Sequence, residues 1–155
     1  MDFIQLFFGA VLGYTFQVAH EFIGQLRAPR GLFCTWQSSW QPTSVPESKW
    51  VSEELKIKRT VFGIQLININ NSDGYEWIGK AKLINNKHLI GEWKSTKHGA
   101  TAEGVFSLVF HIDGSFLTGF FQGPDLGQGK ITSRFVLGRT KEDMKKALKY
   151  VQLNP

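Results

Sequence analysis

Residues 77–93 read Trp77-Ile78-Gly79-Lys80-Ala81-Lys82-Leu83-Ile84-Asn85-Asn86-Lys87-His88-Leu89-Ile90-Gly91-Glu92-Trp93, and their alternation decides the fold. Trp77, Gly79, Ala81 and Leu83 fall on one side of an extended chain, and Lys80 and Lys82 on the other. Asn85-Asn86 tolerates positive φ and so suits a tight turn. Beyond it the pattern resumes, with Leu89, Gly91, Trp93 and Ser95 opposite Glu92 and Lys94. Charges belong in water, so this hairpin has a charged outer face and an aromatic inner one.

The same alternation extends in both directions. Strand-like runs are expected over Gly31–Trp40, Trp50–Lys58, Thr60–Asn70, Tyr75–Ile84, His88–Thr96, Glu103–Ile112, Ser115–Gln122 and Lys130–Gly138. Turn chemistry separates them: Pro42 to Pro46, Asn71-Ser-Asp-Gly74, His98-Gly99, Asp113-Gly114 and Gly123-Pro-Asp-Leu-Gly127. Short loops between successive strands mean an antiparallel meander. Closure into an eight-stranded up-and-down β-barrel removes both exposed edges. Glycines inside the strands, at Gly79, Gly91 and Gly119, permit the coiling that a small barrel needs. A tail over Lys141–Val151 reads as a short helix with Met144, Leu148 and Val151 on one side.

Composition narrows the function. The chain has 155 residues, with 18 Lys and Arg against 13 Asp and Glu, and 42% of it is hydrophobic, too apolar for a disordered polymer. A single cysteine, Cys34, excludes a disulfide framework and reads as a small core residue. His20, His88, His98 and His111 show no metal-ligand spacing, and no nucleophile elbow, P-loop or dinucleotide fingerprint is present. Asp125 reads as a turn residue rather than a base. A binding protein without metal, cofactor or catalytic set is therefore expected.

The first 26 residues differ from the rest. They contain Asp2 and Glu21, no Lys or Arg, and six aromatic residues, whereas residues 27–155 carry all 18 basic groups. We therefore expect a division into residues 1–26 and a barrel domain over 27–155. Phe3 to Ile23 is 21 residues long, enough at about 1.5 Å per residue to span a hydrocarbon core of about 30 Å. Arg27 and Arg30 follow at once, which places that end in the cytoplasm by the positive-inside rule. The expectation is a single-pass transmembrane helix with the barrel in the cytoplasm; because Gln5, Gln17 and His20 are polar, a buried amphipathic helix and a helix lying in the interface are the alternatives. Gln5, Gly9, Gly13, Gln17 and His20 share one arc of this helix, and Gly9-x-x-x-Gly13 lets two helix backbones approach closely. That stripe is the candidate surface for self-association.

Inside the barrel, alternation brings Trp36, Ser38, Tyr75, Trp77, Trp93 and Ser95 toward one lumen. An eight-stranded barrel holds side chains or one small ligand. Aromatic planes stack on nucleobases, and Arg59, Arg134 and Arg139 are candidates to offset phosphate charge.

A hydrophobic N-terminal segment, a barrel starting near Gly31-Leu-Phe-Cys-Thr-Trp36, and the fragments Gly79, Gly91-Glu-Trp93 and Gly119-Phe-Phe121 carry a resemblance. In layout the chain resembles the β-strand-rich membrane effectors of bacterial cyclic-oligonucleotide anti-phage defence, the SMODS-associated effectors of CBASS-type systems. Members carry two membrane helices where this chain has room for one. The resemblance implies a barrel that binds a cyclic di- or oligonucleotide, not a DNA or RNA polymer. It also implies a ligand-induced homo-oligomer that acts on the lipid bilayer, and placement of the single-pass helix in a bacterial inner membrane. The competing reading is a membrane-tethered, lipocalin- or avidin-like carrier of a hydrophobic small molecule, for which Gly91-Glu-Trp93 supplies a bare Gly-x-Trp.

Overall fold

Asn85 and Asn86 take φ of 51° and 56°, and the Lys87 N–H returns to the Ile84 carbonyl at 3.1 Å. The hairpin expected from residues 77–93 is thus closed by its two asparagines. The computed structural model describes residues 3–26, 28–29, 31–41, 49–71, 74–124 and 130–153. In chain order these form α1 (Phe3–Leu26), β1 (Thr35–Trp40), β2 (Val51–Thr60), β3 (Gly63–Asn71), β4 (Trp77–Ile84), β5 (His88–Ser95), β6 (Glu103–Phe110), β7 (Phe116–Pro124), β8 (Lys130–Gly138) and α2 (Lys141–Leu153). The strands pair antiparallel in sequence order, and β1 meets β8 to close the barrel.

Several strand ends differ from expectation by one or two residues, as at Trp77, Phe110 and Pro124, and two differences matter more. Gly31–Cys34 is not strand but a turn that plugs one end of the barrel. Leu32 is buried there and accepts a hydrogen bond from Trp36 Nε1 at 2.9 Å. The β2–β3 connection falls at Val61-Phe62, two residues later than expected, because apolar residues fill a turn where glycine or asparagine is usual. The segments Pro42–Pro46 and Asp125, and Arg27 and Arg30, lie outside the described residues.

The lumen is packed, not hollow. Trp36, Leu55, Leu66, Leu89, Phe106 and Leu108 are all buried within it. Gly91 makes room for Phe106: a Cβ there would lie 2.7 Å from the Phe106 ring and 2.2 Å from the Lys80 carbonyl oxygen. Outside the barrel, α2 buries Ala147 and Val151 against Phe116 and Val136. Its start is capped by Thr140, whose Oγ1 accepts the Asp143 N–H at 3.1 Å.

The membrane span is not upheld. Among the described residues, no helix is long and apolar enough to cross a membrane. Gln5, Gln17 and His20, with Tyr14 and Thr15, dilute the apolar character of α1, and two glycines add little to it. The expected transmembrane helix, and with it the single-pass inner-membrane placement, is corrected accordingly. As a helix α1 is longer than expected, 24 residues, and it meets the barrel along β3. Its apolar side chains, such as Phe8 and Phe16, are exposed, and a Cβ on Gly9 or Gly13 would meet nothing within 4 Å.

Candidate functional site

The alternation Val51, Glu53, Leu55, Ile57 turns four residues of β2 inward, and one of them is an acid. Glu53 is 4% exposed. A buried carboxylate demands donors, and the neighbouring strands supply them. Trp77 Nε1 on β4 donates to both Glu53 oxygens, at 3.1 and 3.2 Å. Asn68 Nδ2 on β3 donates to Oε2, and Ser38 Oγ on β1 to Oε1 at 3.4 Å. Among the described residues, Trp40 Nε1 is buried without a hydrogen-bond partner of its own, yet its N–H dipole still favours the anion. Burial outweighs these donors and pushes the carboxyl up to about 7.

The partners of Glu53 stand where the barrel wall opens. β3 and β4 pair only over Ile64–Ile67 against Ala81–Ile78. Beyond that, Asn68 stays in register with β2 and Trp77 with β5, so the two strands part. The Glu54/Leu55 irregularity in the β2–β3 ladder falls at the same height. The result is a cleft of about 430 Å³ lined by Ile67, Asn68, Asn70, Trp77, Ile78 and Thr96, among others. Its size falls within the usual range of small-molecule sites. The far rim is tied down by Glu76, whose carbonyl accepts the Thr96 N–H at 2.9 Å and Ser95 Oγ at 3.2 Å. Lys94, exposed and in register with Ile78, puts a cation on the adjoining strand.

The barrel mouth beside the cleft is covered by a row of edge-to-face rings. Tyr75 meets Trp40 at 4.8 Å, Trp40 meets Phe121 at 5.2 Å, and Phe121 meets Trp93 at 6.2 Å. Trp93 is anchored by its Nε1, which donates to the Gln122 carbonyl at 3.2 Å. Among the described residues the lateral cleft offers an approach to the site, and Trp77 is half-buried there.

The expected site residues divide between the two barrel ends. Ser38, Tyr75, Trp77, Trp93 and Ser95 gather around the mouth and cleft. Trp36 lies toward the plugged end, with the Arg139 guanidinium 5.3 Å over its ring. Arg59 stacks 4.6 Å over Phe33 near the same end. Arg134, opposite Phe120, alternates with the inward Phe135 and so stands on the outer face. None of the three arginines is brought to the cleft. Glu53, Asn68, Trp40 and Phe121 were missed, although the period-two placement of Glu53 among apolar residues was a readable signal. Cys34 donates to the Gly31 carbonyl, and burial raises its thiol pKa despite the opposing charge of Arg139. No known protein-family model matches the chain, and no curated protein sequence is significantly similar to it.

Proposed function

We propose that the barrel is a receptor for a cyclic di- or oligonucleotide, with one base entering the cleft between β3 and β4. The observation that carries this reading is the parting of those strands over Trp77, an indole whose N–H edge is held by Glu53. Stacking on such a face tolerates any base, and Lys94 supplies a cation for phosphate. The lumen itself is filled by Trp36 and Phe106, which favours a planar group at the wall over an acyl chain inside. The reading assigns no bond chemistry to the barrel. Its output is assembly: a ligand that binds the associating form more tightly shifts the population toward it. The exposed face of α1, with Gly9 and Gly13, is the surface available for that step. In the setting the resemblance implies, the protein is an effector of anti-phage defence.

Calorimetry of the full chain against a panel of cyclic nucleotides and fatty acids tests this. At least one cyclic nucleotide should bind, and Trp77→Ala should weaken it by about 1–3 kcal/mol while the β-sheet circular dichroism is retained. Binding of fatty acids alone would replace this reading with the hydrophobic carrier.

A further inference from the structure

The hairpins β2–β3, β4–β5 and β6–β7 all turn at the plugged end of the barrel, the end filled by Leu32. Each carries an apolar side chain at or beside its tip. Val61 and Phe62 form the whole β2–β3 connection, Ile84 precedes the asparagine turn, and Ile112 lies in the β6–β7 turn. Phe62 is 67% exposed and Ile112 fully so. The Val61-Phe62 turn runs against local turn chemistry, and the backbone accommodates it with Gly63 at φ +137°. Local rules are broken where something other than folding is served.

The charge at this end is net positive. Lys58, Arg59, Lys82, Lys87, Arg139 and Lys141 outnumber the described acids there, Asp113, Glu142 and Asp143. Around the mouth, the described residues come closer to balance: Lys49, Lys94, Lys97 and Lys130 stand against Glu54, Glu76 and Glu103. The apolar tips sit on separate hairpins, spaced in a ring around one barrel rim. A shaped protein partner fits such a ring poorly, and a fluid surface adapts to it. Apolar insertion at the boundary combined with a basic surround matches an anionic lipid headgroup layer.

We infer that the plugged end of the barrel docks on an anionic lipid surface through Val61, Phe62 and Ile112. The contact lies on the surface and involves no crossing. It is independent of the cleft and of any nucleotide.

The test is co-sedimentation of the full chain with vesicles of equal parts phosphatidylcholine and phosphatidylglycerol, beside vesicles of phosphatidylcholine alone. The chain should partition preferentially onto the anionic vesicles and less so as salt is raised. The exposed pair Phe62→Ser with Ile112→Ser should lose at least about tenfold in partitioning, with the circular dichroism of the parent. Should that pair misfold, Lys58→Glu with Lys87→Glu serves instead and should abolish the preference for anionic vesicles. Partitioning of either folded pair equal to the parent's would assign the binding to α1 and overturn the inference. So would a parent that ignores anionic vesicles, or a tip variant that alters only the oligomeric state.

Discussion

Glu53 holds its proton to about pH 7 in the folded barrel, whereas a carboxyl in the unfolded chain releases it near 4.5. Between those values the folded state binds more protons, so this group's contribution to stability is fully present below about 4.5 and is lost as pH rises through about 7. The loss amounts to something on the order of 2–4 kcal/mol. Glu53→Gln should therefore be more stable than the parent at pH 8, with a flatter dependence between pH 5 and 8, in urea unfolding followed by circular dichroism. Parallel pH profiles for the two proteins would show that Glu53 is not the linked group. Gly91 makes a second residue-scale prediction. Its added methyl would meet the Lys80 carbonyl oxygen at 2.2 Å, so Gly91→Ala should destabilise by about 1–3 kcal/mol in the same assay. The inward position of Glu53 was legible in Val51-Ser-Glu-Glu-Leu-Lys-Ile, where every second residue but one is apolar. Its partners were not, because which residues of β3 and β4 lie beside it depends on register and on the ladder irregularity at Glu54/Leu55.

The elements were legible where turn chemistry and periodicity agreed. Asn85-Asn86 and Asp113-Gly114 mark hairpins that form as read, and Lys130–Gly138 forms a strand over those same residues. The Val61-Phe62 turn was displaced because two apolar residues carry no turn signal of their own. Helix α1 was legible as a helix and misleading as a span: its length fits a bilayer, but its polar residues do not. Its apolar side chains are exposed, so removing it forfeits little burial. A chain beginning at Ala28 should keep the β-sheet spectrum and unfold cooperatively. Loss of that spectrum would mean that α1 holds the barrel together. Helix α2 differs in this respect, since Ala147 is fully buried against the outer wall. Ala147→Asp places an unpaired charge in that seam and should lower the unfolding midpoint sharply.

At the scale of the whole molecule, closure was legible from eight short alternating runs, but height along the barrel axis was not. Alternation says which face a residue takes and nothing of which end it nears. Trp36 and Trp77 both point inward, yet one lies toward the plugged end and the other at the cleft. Arg59 and Arg139 accompany the former, so the expected meeting of arginines with the mouth aromatics does not occur. The central claim is that ligand meets the barrel at the parted strands. The indole N–H resonances of the five tryptophans test it most directly, recorded by nitrogen–proton correlation as a cyclic dinucleotide is titrated into the full chain. The Trp77 signal should shift in a saturable way while that of Trp36, bonded to the Leu32 carbonyl, stays in place. A saturable shift of Trp36 with Trp77 unmoved, or no indole shift with any cyclic nucleotide tried, would contradict it.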